Sequence, residues 1–264
     1  MKLTVSRLLF CTFVAISLSL SSWAQTQAGQ IKTAKVEKDV YKISTSGDSV
    51  KLKNGDMLTE SDTVTTGTDS SVVLVFMNGA SVKLAANSRL SISEFKMDPL
   101  AETVNVSKLK NEPTVSKTTL ALAYGEMIGN VKKLNTSSSY TVRTAVGAAG
   151  IRGTTFKIVF RPTEDGKGFT FTLTTAEGLV IFTGFVAGAN NVDVSQGQEI
   201  TVTATADPNT HQLINVTIPT QTTPVSDAAQ TLILNAISQA NQAIEFVGGN
   251  AISILDPQVV SPSG

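Results

Sequence analysis

The sequence predicts an all-β protein, either a solenoid-like roll or a sandwich of many short strands, followed by one C-terminal amphipathic helix. Three observations lead to this prediction. Apolar and polar residues alternate over short stretches, and Asn-Gly or other glycine turns separate those stretches. The chain also contains 34 threonines and 26 serines, and threonine suits extended strands because its branched Cβ fits a pleated surface. Short strands between frequent turns are typical of all-β domains.

The first 24 residues have the pattern of an export signal. Lys2 and Arg7 form a basic start, an apolar run follows, and Ser22-Trp23-Ala24 places small residues at a cleavage position. The apolar run of about 13 residues is shorter than the roughly 20 that a spanning helix needs. We therefore predict that the mature chain begins at Gln25, lies in the periplasm or outside the cell, and is not stably inserted in a membrane. Cys11 leaves with the leader, so the mature chain can form no disulfide.

The charge balance and the single histidine limit the possible functions. The mature chain has 19 basic and 21 acidic residues, and a protein without a basic excess is not expected to bind a nucleic-acid backbone. A metal site built from several histidines is excluded. His211 lies in a turn-like stretch and no nucleophile motif accompanies it, so we interpret it as solvated. We predict a non-enzymatic protein that needs no cofactor and no metal.

Residues 25–218 are predicted to form the β domain. Its clearest hairpin places Val72, Leu74 and Phe76 on one face before the Asn78-Gly79 turn. Asn-Gly between alternating segments favours a hairpin because both residues tolerate positive φ. Val82 and Leu84 should lie opposite, on the inner face of the next strand. Residues 96–117 carry more charge and alternate weakly, so we predict an inserted loop there.

The last 46 residues, 219–264, are predicted to form a linker and a helix. Ser226-Asp227 can cap a helix that runs to about Phe246, and Gly248-Gly249 can end it. Apolar residues recur at three- and four-residue spacing and form one stripe. The members of this stripe are Ala229, Leu232, Ile233, Ala236, Ile237, Ala240, Ile244 and Val247. The stripe either packs on the β domain or faces a partner.

Two motifs in this order resemble the FecR domain. The first comprises residues 52–58, 62–67 and 70–79, and the second comprises residues 144–156, which include the Arg-Gly-Thr core. The resemblance extends over roughly residues 30–205. Ala145 stands where the family usually has proline. The motif residues that we assign to structure or interaction are Gly55, Asp56, Thr66, Gly67, Asn78, Gly79, Thr144, Arg152, Gly153, Thr154 and Phe156.

The resemblance implies a role in protein–protein interaction. The best-known FecR proteins are transmembrane regulators that carry a ligand signal from an outer-membrane receptor to a cytoplasmic sigma factor. In this sequence we expect a cleavable leader in place of their cytoplasmic segment and membrane helix. We therefore expect an envelope structural or signal-perception module without anti-sigma activity. Its unknown envelope partner would contact the C-terminal helix or the motif around Arg152.

Two features of the second motif allow more than one interpretation. Gly147, Gly150 and Gly153 recur at three-residue spacing, but no Lys-Ser or Lys-Thr follows, so we predict corners or close backbone contacts rather than a phosphate cradle. Arg152 lies among small neutral residues. Its guanidinium either donates to backbone carbonyls or a carboxylate of the fold and locks a turn, or binds a ligand carboxylate.

A carbohydrate-binding or cell-wall-associated module is the alternative function. Such a module needs an exposed aromatic platform, so the positions of Tyr41, Tyr124 and Tyr140 distinguish the two hypotheses. A hydrolase that uses His211 or a carboxylate pair has less support, because Glu164 and Asp165 flank Gly166 in an apparent hairpin tip.

Overall fold

A computed structural model describes residues 27–100, 105–188, 190–207, 210 and 212–248. The predicted export signal with Cys11, the histidine at 211 and the residues after 248 lie outside the described residues. Within these ranges the chain forms strands and one long helix. The strands are β1 (Gln27–Ala28), β2 (Ile31–Glu37), β3 (Val40–Ile43), β4 (Ser49–Lys51), β5 (Met57–Leu58), β6 (Thr63–Thr66), β7 (Ser71–Phe76), β8 (Ser81–Leu84), β9 (Ser88–Met97), β10 (Ser116–Asn130), β11 (Ser139–Arg143), β12 (Gly147–Ile151), β13 (Thr155–Pro162), β14 (Gly168–Glu177), β15 (Leu179–Gly184), β16 (Val192–Ser195), β17 (Gln198–Ala206), β18 (Leu213–Thr217) and β19 (Thr223–Pro224). The helix is α1 (Asp227–Gly248).

The strands form two sheets that share the long strand β10. Sheet A has the order β4-β3-β6-β9-β10-β11-β12-β15-β16, and sheet B has the order β5-β2-β7-β8-β10-β13-β14-β17-β18. Strand β10 leaves sheet A and enters sheet B at Gly125, which has φ +113°. A Cβ there would lie 2.1 Å from the Ser88 hydroxyl oxygen, so only glycine fits.

The order of strands in space largely follows their order in the chain. Successive hairpins alternate between the sheets, with β13–β14 in sheet B, β15–β16 in sheet A and β17–β18 in sheet B. The β10–β11 pair is parallel and the other named pairs are antiparallel. The all-β prediction with one C-terminal helix is confirmed. The fold has features of both the predicted roll and the predicted sandwich. Successive hairpins follow one another in space as in a roll, and the strands form two packed sheets as in a sandwich.

The main core lies between the two sheets. Phe76 of sheet B contacts Phe95 of sheet A edge to face, with ring centroids 5.2 Å apart. Phe171 and Phe182 stack across the same interface at 4.9 Å. The predicted register of the first hairpin is confirmed, since Val72 pairs with Leu84 and Leu74 pairs with Val82, all four fully buried.

Helix α1 packs on the outer face of sheet B. Ile233 and Ile237 contact Ile128 there, and Ala240 packs against Val73 and Val75. The helix begins where the sequence predicted, and the Ser226 hydroxyl accepts from the backbone N–H of Ala229 at 3.3 Å.

Among the stripe residues whose side chains the structure describes, which do not include Val247, the predicted apolar stripe is correct except at Leu232. Its side chain is 71% exposed, whereas Ile233 is buried. One helical residue is about 100° of rotation, so Leu232 lies well away from the buried line that Ile233, Ile237 and Ala240 define.

The predicted inserted loop is shorter than residues 96–117. Met97 and Ser116 are paired strand residues, so β9 and β10 extend into both ends of the predicted loop. The connection is therefore residues 98–115, with a single 3-10 turn at Val106–Lys108. Val106 packs under helix α1 beside Val73 and Val75, so this segment is part of the folded unit.

Candidate functional site

The two motif regions meet at residues 131–136, which lie in the connection between β10 and β11; we call this segment the motif junction. Gly79 of the first motif and Gly153 of the second have φ +89° and +85°. A Cβ on Gly79 would lie 3.1 Å from the Lys132 side chain, and one on Gly153 would lie 3.0 Å from the Lys133 Cα. Both glycines therefore combine a left-handed backbone with close approach to the motif junction.

A buried polar network links the first motif to the motif junction. The Asn78 amide donates to the Ser116 hydroxyl at 3.0 Å, and Ser116 donates to the Glu112 carboxylate. The other carboxylate oxygen of Glu112 accepts from the backbone N–H of Asn135 at 3.0 Å. Glu112 is only 5% exposed, so these donors provide the hydrogen bonds that a buried carboxylate requires.

Arg152 binds the same junction from the side of the second motif. Its Nη2 donates to the carbonyls of Asn135 at 3.2 Å and Thr136 at 3.3 Å, while the side chain is exposed. These contacts correspond to the carbonyl-binding interpretation, and the exposure leaves the remaining donors accessible to a ligand. The functional role of Arg152 stays a prediction.

Thr154 completes the attachment of the second motif. Its backbone N–H and carbonyl exchange two 3.0 Å hydrogen bonds with Val131, and its hydroxyl donates to the Leu179 carbonyl at 3.1 Å. Gly178 follows β14 with φ +82°, and a Cβ there would lie 2.8 Å from the Gly153 carbonyl oxygen. The chain therefore packs backbone against backbone around Gly153.

The structure places the other predicted motif residues at separate positions. Thr66 donates to the Ala85 carbonyl at 2.6 Å beside Gly67, whose N–H bonds to the Asp39 carbonyl. Gly55 and Asp56 form a turn against β2, Thr144 closes the β11–β12 hairpin through the Gly147 carbonyl, and Phe156 is fully buried in the core. The structure therefore brings together Asn78, Gly79, Arg152, Gly153 and Thr154, and not the full predicted set.

The three glycines of the second motif differ in what requires them. A Cβ on Gly147 would lie 2.4 Å from Phe182, and Gly153 has positive φ, as the sequence predicted for close contacts and corners. Gly150 has neither constraint: the nearest atom to a Cβ would be the Ile181 carbonyl oxygen, at an ordinary 3.7 Å. Our interpretation of Gly150 as a corner or close contact was therefore wrong.

Sequence reasoning missed Glu112 and Lys132. Burial lowers the pKa of the Lys132 amine, and the nearby Glu177 carboxylate opposes that shift. Lys132 donates to the Asn130 side-chain oxygen at 3.1 Å, below the middle of helix α1. Nothing in a charged, weakly alternating stretch distinguishes a buried carboxylate from a solvated one. Only the tertiary position of Glu112 reveals its role.

The tyrosines do not form one aromatic platform. Tyr140 is buried in the core, 6.4 Å from Phe76. Tyr41 and Tyr124 are partly exposed on sheet A, and the register Tyr41–Thr65–Arg89–Tyr124 places two strands between them. Three interstrand spacings correspond to about 14 Å. This arrangement does not favour the carbohydrate-binding alternative.

The remaining candidate groups are distributed over the surface. Asp165 lies at the exposed β13–β14 hairpin tip, where the Thr163 hydroxyl and the Lys167 N–H lower the pKa of its carboxyl group. Across the described ranges, no three His, Cys, Asp or Glu side chains are grouped closely enough to hold a metal ion. Within the same ranges, no helix has the length and apolar character needed to cross a bilayer.

Comparison with known proteins identifies the domain that contains this junction. The family model described as FecR protein matches residues 62–181. The predicted resemblance to the FecR domain is confirmed over this range. The matched range includes the Asn78-Gly79 turn, Glu112 and the Arg-Gly-Thr core, but begins after Gly55 and Asp56. No curated protein matches the chain.

Solved structures similar to this chain include two crystal structures of a candidate anti-sigma factor from Parabacteroides distasonis. Each is 12% identical in sequence and aligns with 65% of this chain, with TM-scores of 0.42 and 0.41. The chain spans 64% and 63% of the length of those structures. The description as an anti-sigma factor applies to that protein.

Proposed function

We propose that this protein is an exported, non-enzymatic FecR module that perceives signals or supports envelope structure through protein–protein contacts. The FecR match over residues 62–181 is the observation that carries the proposal. The motif side chains of Asn78, Arg152 and Thr154 all hydrogen-bond within the fold. This supports a motif that builds a scaffold, and a scaffold can present a surface to a partner.

Export is supported by the basic start, the apolar run and the small residues up to Ala24. We expect the protein purified from the host envelope to begin at Gln25. Intact-mass measurement tests this, with a Leu9→Lys variant as the control that should not be exported. A protein that retains residues 1–24, or that is acylated at Cys11, would contradict the proposal.

The interaction role is tested by chemical crosslinking in intact cells. A tagged full-length chain should crosslink reproducibly to one envelope protein, and a tagged, exported protein of unrelated fold serves as the control. If the chain crosslinks to no protein above that control, the interaction role is wrong. Binding of the purified chain to isolated cell-wall polysaccharide, lost in Tyr41→Ala and Tyr124→Ala variants, would support the carbohydrate alternative instead.

A further inference from the structure

The outer face of sheet A contains an uncovered apolar surface around Gly150, which we call the Gly150 face. It consists of Gly150, Arg143, Arg152, Leu179, Ile181 and Phe185. Gly150 pairs directly with Ile181, and Arg152 is an exposed residue that directly follows the end of β12 at Ile151. Leu179, Ile181 and Phe185 are each more than 40% exposed. Aliphatic and aromatic side chains are therefore gathered at one place on the surface.

The sequence of β15 is that of a strand covered on both sides. Leu179-Val180-Ile181-Phe182 is continuously apolar, a pattern found in strands whose two faces are both buried. Val180 and Phe182 fill the core, whereas no described residue covers Leu179 and Ile181. On sheet B the similar run in β7 is completely buried because helix α1 covers it. The run in β15 lacks a corresponding cover within the described chain.

Gly150 provides an independent observation. Its φ is not in the left-handed region, and the nearest atom to a Cβ would be the Ile181 carbonyl oxygen at an ordinary 3.7 Å, so neither the backbone conformation nor a clash at Cβ requires glycine. Glycine weakens a strand interior and often marks a place where a ligand or another backbone approaches closely. Gly150 lies between Thr141 and Ile181, where a partner could contact the sheet directly.

The charged residues of this face indicate which charge a partner should carry. Arg143 lies over the Phe185 ring, with its guanidinium carbon 4.9 Å from the ring centroid, and Arg152 is exposed at the end of β12. In the described ranges, the ion pairs of the protein all involve lysines, so neither arginine has a carboxylate partner. Asp193, on edge strand β16, is exposed next to Ile181 on the same face, on the side of Ile181 away from Gly150. Two guanidinium groups without a carboxylate partner among the described residues favour an acidic occupant.

We infer that the Gly150 face is the docking site for an acidic amphipathic segment of a protein partner. Apolar side chains of that segment would contact Leu179, Ile181 and Phe185, its backbone would approach Gly150, and its carboxylates would bind Arg143 and Arg152. This inference rests on the proposed interaction function and specifies the surface and the partner's chemistry.

The test is selection from a displayed library of random short peptides on the immobilised mature chain. We expect enrichment of peptides that combine Asp or Glu with Leu or Phe. Ile181→Asp, Gly150→Val and Arg143→Glu should each weaken their binding by about tenfold or more. Ile214→Asp is the matched control, because Ile214 is also 41% exposed but lies on β18 of sheet B. Thermal melting of each variant verifies that it is folded.

The possible outcomes separate this inference from the proposed function. Peptides that bind Ile181→Asp as well as the wild type, or enriched peptides without acidic residues, would overturn the docking site. If the crosslinked envelope partner is retained by Ile181→Asp, the interaction function stands and the Gly150 face is the wrong surface. If the wild type forms a dimer and the Ile181→Asp variant is a monomer, the occupant of this face is a second copy of this chain. That result would overturn the proposal of an acidic partner.

Discussion

The outer faces of the two sheets differ in what covers them. Sheet B carries helix α1, so Val73 and Val75 are buried on its outer side and Val72 and Leu74 are buried on its inner side. Sheet A has a similar apolar run in β15, but Ile181 remains 41% exposed. Apolar residues on the outer face of a sheet therefore indicate a cover, and in sheet A that cover is not found in the described part of the chain.

The largest expected effect concerns the core that both sheets share. Phe76→Ala removes a ring that contacts Phe95 at the centre, and we expect the free energy of unfolding to fall by about 3–5 kcal/mol. Lys83→Ala on the adjacent strand should cost less than about 0.5 kcal/mol because its side chain points away from this core. Chemical denaturation of both variants measures the difference, and equal midpoints would contradict the described packing.

The second prediction compares two isoleucines on the two outer faces. Ile237 of α1 is buried against sheet B, so Ile237→Ala should lower the free energy of unfolding by about 2–5 kcal/mol. Ile181→Ala on sheet A should change it by less than about 0.5 kcal/mol. Thermal melting of the two variants tests the comparison. A large loss for Ile181→Ala would show that some segment of this chain already covers sheet A.

The sequence predicted the inner face of the sandwich better than its outer faces. Alternation and the Asn78-Gly79 turn located Val72, Leu74 and Phe76 correctly, because a hairpin's register depends on local residues. Val73 and Val75 were not explained, since their cover lies more than 150 residues later in the chain. Glu112 was missed for a related reason: its carboxylate accepts from the backbone N–H of Asn135, 23 residues later, and this contact forms only in the tertiary structure.

The third prediction concerns Arg152, where scaffold and docking surface meet. Arg152→Ala removes two hydrogen bonds to the carbonyls of Asn135 and Thr136. Because the side chain is exposed, water can replace the lost donors, so we expect a loss of about 1 kcal/mol, at the lower end of the range for such bonds. Arg152→Lys should recover little of it, since an ammonium lacks the planar fork. An unchanged melting temperature for Arg152→Ala would assign the residue to recognition alone.

The smallest effect on stability is expected at Gly150, and it separates folding from function most clearly. Gly150→Val places a β-branched side chain in open space on a strand, so the free energy of unfolding should stay constant or rise by about 0.5 kcal/mol. Gly147→Val is the control on the same strand: its side chain would overlap Phe182 and the Thr183 carbonyl, and overpacking of this kind costs about 1–3 kcal/mol. Melting curves of the two variants give the comparison. If Gly150→Val is as destabilising as Gly147→Val, glycine at 150 serves the fold and the argument for an approaching partner is lost. If Gly150→Val melts like the wild type but no longer binds acidic peptides, the glycine is explained by the partner it admits.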